Sequence, residues 1–158
     1  MIQSYNELLK SSEFKSWIAK HKNAYLSSCV SIYNPQEKEI WNFDFYIPKI
    51  NKITTFTVGE EISLNEEQKI FEQSHKKLKQ VDLNKIKFDL EKVKKIVDKK
   101  FEKVKILKTF IILQFLKELI WKVSLLGNDF KLNNIKIDAI NGKVIEESST
   151  SMLQFKAS

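Results

Sequence analysis

Apolar and polar positions along the chain change period several times. Near the N-terminus, Leu8, Leu9, Phe14, Trp17 and Ile18 fall near helical spacing, which predicts a helix over 4–20. Ser11-Ser12 marks a break in it, with Ser12 read as a second N-cap. Residues 24–33 switch to period two, with Leu26, Val30 and Ile32 on one face and Tyr25, Cys29 and Tyr33 on the other. Asn34-Pro35-Gln36-Glu37 is a turn signal. Residues 39–47 then alternate strongly. Trp41, Phe43, Phe45 and Ile47 face one way and Asn42, Asp44 and Tyr46 the other, the pattern of a half-buried strand ended by Pro48. A third strand follows over 52–58 through Thr54, Phe56 and Val58. From Asn65-Glu66-Glu67 to about residue 80 the chain reads as a polar helix or an irregular connection.

The second half follows the same order. Leu90, Val93, Ile96, Val97 and Phe101 form the stripe of a helix over 88–101, with Asp89 as N-cap. Strands follow over 106–115, 120–126 and 132–138, with Ile135 and Ile137 inward and Asn134, Lys136 and Asp138 outward. Asn128 and Asp129 mark a turn, and Asn141-Gly142 favours a tight turn with positive φ. The apolar run over 106–126 contains Lys108, Lys117, Glu118 and Lys122. Charges near the middle of a span cost about 2.5–3.5 kcal/mol each, so two strands joined at Lys117-Glu118 are expected rather than a membrane-spanning helix.

A shift of about 80 residues lays Ile40-Trp41-Asn42-Phe43-Asp44-Phe45 onto Ile120-Trp121-Lys122-Val123-Ser124-Leu125. A shift of about 79 lays Phe14, Trp17 and Ile18 onto Val93, Ile96 and Val97. The expected architecture is therefore α+β, with two repeated helix-plus-three-stranded antiparallel units sharing a core. The expected boundaries are an N-terminal unit over 1–64, a connector over 65–84, a C-terminal unit over 85–147 and a tail over 148–158. Pairing two such units would bury what each exposes alone.

Charge narrows the functional classes. The 158 residues carry a formal net charge of +7, and every cationic side chain in the Lys+Arg count is lysine. Lacking arginine, the chain is poorly suited to bidentate phosphate or guanine recognition. One cysteine, Cys29, supports neither a disulfide framework nor a thiolate zinc site. Residues 61–110 hold fourteen lysines and nine acids, whereas the flanking segments are each close to neutral. The basic positions of interest are Lys76, Lys77, Lys79, Lys94, Lys95, Lys99 and Lys100. They read first as the solvated face of a lysine-biased helix and second as a patch for an acidic partner. Met1 leads into Gln3, Ser4, Asn6 and Glu7 and not into a basic patch with an apolar core. With one free thiol, a cytoplasmic address is expected.

The segment Ile120-Trp121-Lys122-Val123-Ser124, followed by Asn134-Ile135-Lys136-Ile137-Asp138-Ala139-Ile140-Asn141-Gly142-Lys143-Val144-Ile145, resembles the end of a PepSY domain. That family closes on a Trp-containing strand and then a strand with an Ile-Asp-Ala-x-x-Gly-Lys-Val-like signature. The resemblance covers residues 85–147, and the first half shares only the pattern. It implies a small cystatin-like α+β module, often in tandem and usually without catalysis of its own, that binds partners or restrains peptidases, commonly outside the cytoplasm. In the signature, Asp138 is expected to accept backbone N–H bonds from the Ile140-to-Gly142 turn, with Gly142 supplying the positive φ.

No catalytic constellation accompanies these elements. Cys29 and His21 could form a nucleophile and base, but a lone strand cysteine more often packs as a small hydrophobe. His75 sits among lysines, and Gly59, Gly127 and Gly142 are isolated, so no phosphate-cradling loop is present. Trp17, Trp41 and Trp121 fall on core faces. The sequence thus favours a non-enzymatic module for a protein or peptide, with no cofactor and no bound metal. Its candidate contacts are Tyr25, Tyr33, Asn42, Asp44 and Tyr46 on the far side of the sheet. Nucleic acid ranks second as a partner, and a small apolar ligand held beneath the helices third.

Overall fold

The computed structural model describes residues 1–69 and 78–153. Helices α1 (Ile2–Lys10) and α2 (Ser12–Lys20) precede β1 (Tyr25–Tyr33), β2 (Trp41–Ile47), β3 (Lys52–Val58) and β4 (Ile62–Lys69). After a 3-10 turn at Leu83–Lys85 come α3 (Leu90–Lys100), β5 (Ile106–Phe115), β6 (Leu119–Gly127), β7 (Lys131–Asp138) and β8 (Val144–Ser151). The fold is α+β, and the eight strands form one antiparallel sheet in the order β4-β3-β2-β1-β5-β6-β7-β8. Two four-stranded meanders meet where β1 pairs with β5, with Cys29 opposite Leu113 and Ser31 opposite Ile111.

Local chemistry sets the helix ends. The chain is extended at Ser11, whose hydroxyl accepts from the Phe14 amide at 3.1 Å. Ser11, not Ser12, therefore caps α2, and the 4–20 helix is two helices. The Asp89 carboxylate accepts from the Lys92 amide at 3.0 Å and opens α3. Accepting that bond holds the Asp89 carboxyl below the usual carboxylate range.

Each meander has four strands where the sequence pattern shows three. Residues 65–69, expected in a connector, belong to β4 and pair with β3, and residues 148–151, expected in a tail, belong to β8 and pair with β7. Both are edge strands. β8 has little core to face and is mostly exposed, so its sequence lacks the two-residue apolar alternation that marks a half-buried strand. The boundaries at 64 and 147 fall inside these two strands.

All three helices lie on one face of the sheet, around one core. Leu8, Phe14 and Trp17 join Phe43, Phe45 and Phe56 of the first meander. Val93 and Val97 join Ile111, Trp121, Val123 and Ile135 nearer the second. Aromatic contacts stitch α2 to the sheet: Phe14 lies 5.0 Å from Phe45 and Trp17 lies 5.3 Å from Phe56. Such pairs add about 0.5–1.5 kcal/mol each beyond area burial. The opposite face of the sheet carries no helix of the described residues.

Candidate functional site

The five expected contact residues do not form one surface. A β-bulge between Leu26 and Ser28 inserts Ser27 into β1, and the Ser27 hydroxyl donates to the Asp44 carbonyl at 3.0 Å. The extra residue moves Leu26 onto the same face as Cys29, Ser31 and Tyr33. Tyr33 therefore points to the helix side, opposite Thr109, and not to the far side with Tyr25 and Asn42. Burial there, helped by Glu39, pushes its phenol up to about 12.

Tyr25, Asn42, Asp44 and Tyr46 do share the far face, but each is hydrogen-bonded to a neighbouring side chain or, for Tyr25, to a backbone carbonyl. Asp44 accepts from the hydroxyls of Ser28 and Thr55, both at 2.6 Å. The Thr57 hydroxyl donates to Asn42 Oδ1 at 2.7 Å, and the Tyr25 hydroxyl donates to the Leu78 carbonyl at 2.6 Å. Tyr46 is only 2% exposed, and its hydroxyl donates to Asn51 at 2.8 Å. It is a buried residue and not a surface contact.

The second meander has a matching polar ladder. The Ser124 hydroxyl donates to Asn134 at 2.5 Å, and Lys136 pairs with Glu146 at 2.6 Å. Between the two ladders, beyond the polar Ser28–Gln114 pair of the β1–β5 seam, the far face is apolar. Val30 lies opposite Ile112 and Ile32 opposite Phe110, and Ile32 is 46% exposed. Sequence reading missed this strip because it placed Val30 and Ile32 on the core side.

The lysines disperse. Lys76 and Lys77, with His75, lie outside the described residues. Lys79 sits 4.8 Å over the Phe115 ring, at the far end of β5 from α3. Lys94 pairs with Glu39, and Lys100 pairs with Glu147 at 2.5 Å. Lys95 and Lys99 remain exposed on α3.

The Asp138 turn is closed by its own side chains. Asp138 Oδ1 accepts from the amides of Ile140 at 2.7 Å and Asn141 at 3.1 Å, and Oδ2 accepts from the Asn141 side chain at 3.0 Å. Gly142 has φ +76°, and a Cβ there would strike the Phe88 ring. Phe88 is tied in turn to β6, because its carbonyl accepts from the Trp121 indole at 2.9 Å. These residues join the β7–β8 turn to the start of α3.

Cys29 is fully buried between Phe43 and Leu113, and burial pushes its thiol well above the usual range. His21 caps α2, stacks on Trp17 at 4.7 Å and places Nδ1 2.9 Å from the Trp17 carbonyl oxygen. Trp17, Trp41 and Trp121 are all buried, Trp121 completely.

On the helix side, a groove of about 600 Å3 opens between α3, the 34–40 connection and the sheet. Val97, Ile111, Val123 and Leu125 line it, and Glu37, Glu39, Asp98 and Glu102 also contribute to its walls. The sequence reading gave these acids no role. The available signal was Asp98 and Glu102, four apart in a lysine-rich stretch. Among the described residues, no group of three or more His, Cys, Asp and Glu side chains could hold a metal ion. Among the same residues, no helix is long and apolar enough to cross a membrane.

No family model and no curated protein matches the chain. Among solved structures, the fold is similar to the crystal structure of "a putative lipoprotein" from Clostridium difficile 630, with a TM-score of 0.61 at 14% identity, over 87% of this chain and 90% of that one. At that identity the likeness shows a shared fold.

Proposed function

We propose that the protein is a non-enzymatic binding module of the PepSY kind, built by duplication of one helix-and-meander unit, and that a protein or peptide docks on the open face of its sheet. One observation carries this reading. The far face leaves Val30, Ile32, Phe110 and Ile112 side by side at its centre, while the polar side chains of the two flanking ladders are hydrogen-bonded among themselves. Such a surface offers apolar area to a partner without polar groups that must first be stripped of other bonds. The order of elements in the two meanders and the PepSY-like run through Gly142 support the family reading.

The cytoplasmic address rested partly on the free thiol. Cys29 is buried, so its reduced state says little about the compartment, and the structural neighbour's description as a lipoprotein favours a site outside the cytoplasm. Fractionation of the native protein separates the two. The docking reading is tested by a photo-crosslinking side chain at Ile32, compared with one at Lys95 on the helix face.

A further inference from the structure

We propose that the groove beneath α3 binds a small organic amine with an apolar body, a ligand distinct from any partner on the sheet's open face. At about 600 Å3, the groove falls within the size range of small-molecule pockets. Tyr33, Phe101, Val104 and Ile106, all partly exposed, offer the ligand body apolar surface over a floor that includes Ile111 and Val123.

Charge selects the ligand class. On a chain of net charge +7, four acids line this groove, and Lys94 is the one cation lining it among the described residues. Lys94 is already paired with Glu39. Glu37 bonds the Asn34 side chain at 2.7 Å. Asp98 and Glu102 have no ion-pair partner among the described residues. The C-terminal end of α3, the negative end of its dipole, reaches the same groove through Phe101. A carboxylate ligand would meet repulsion here, and an ammonium would gain two carboxylates. The acids are not gathered closely enough to chelate a metal ion, so the charge sought is an organic cation on an apolar group.

The test is calorimetric titration of the full chain with phenylbutylamine, phenylbutyrate and phenylbutanol. The amine should bind and the carboxylate should not, with the alcohol weaker than the amine by at least about fivefold. The exposed double substitution Asp98→Asn, Glu102→Gln should weaken the amine by about tenfold and leave the alcohol unchanged. The amine should also weaken as salt rises from about 20 to about 300 mM. Equal binding of amine and carboxylate, equal binding of amine and alcohol, no binding of the amine, or an unaltered affinity in the double variant would each overturn the proposal. Both substituted side chains are exposed, so a matching thermal melt establishes that the variant is folded.

Discussion

The indole N–H of Trp121 donates to the carbonyl of Phe88 at 2.9 Å, and the Phe88 ring occupies the space a Cβ at position 142 would need. Three distant stretches, β6, the entry to α3 and the β7–β8 turn, are thereby fixed together. Gly142→Ala meets both a positive φ and the ring. It should lower unfolding stability by about 2 kcal/mol or more in urea titration. Trp121→Phe removes the donor and part of the packing and should cost about 1–3 kcal/mol.

Cys29 lies at the seam between the meanders with no exposed surface. Its thiol should not react with a thiol-specific chromogenic reagent in the native protein, and should react fully after denaturation. Rapid native labelling would mean that the β1–β5 pairing opens readily.

Tyr33 gives a pH signature. Its phenol is held up to about 12 in the fold against about 10 in an unfolded chain, so the fold favours the protonated form. The contribution is whole below pH of about 10 and is lost as pH rises toward 12, because the unfolded chain releases its proton first. Urea midpoints measured across this window should fall less steeply in Tyr33→Phe than in the parent. Tyr5 and Tyr25, with the Cys29 thiol, are also raised by burial and retain the remaining slope.

Phe130 sits at φ +56° in the β6–β7 turn and is 54% exposed. An L-residue pays about 1–2 kcal/mol for this left-handed conformation, and an exposed ring recovers little of it by packing. Phe130→Gly should therefore raise stability by about 0.5–1 kcal/mol, allowing for the flexibility glycine adds to the unfolded chain.

Strands with one buried face were legible in the sequence. Trp41, Phe43, Phe45 and Ile47 announce β2, and Ile135 and Ile137 announce β7, because burial on one side enforces alternation. The edge strand β8 was not, since it has little core to repeat against, and β4 was not, because its run Asn65-Glu66-Glu67 is polar. The face of Tyr33 was misplaced by one inserted residue: the bulge at Ser27 reverses the phase of everything after it, and a bulge has no apolar signature. The groove was hidden for another reason. Its walls come from the 34–40 connection, α3, β5 and β6, which only the tertiary fold brings together. The apolar strip on the far face was lost with the same phase error that misplaced Tyr33.

Docking on the open sheet face is tested most directly by photo-crosslinking in the native cell, with the reactive side chain placed in turn at Ile32, Phe110 and Lys95, followed by reconstitution with the purified adduct partner. The account predicts one shared protein or peptide adduct from Ile32 and Phe110, none from Lys95, and binding of the purified partner weakened at least about tenfold by Ile32→Glu. Adducts that form equally from Lys95, or a partner whose affinity is unchanged by Ile32→Glu, would contradict it.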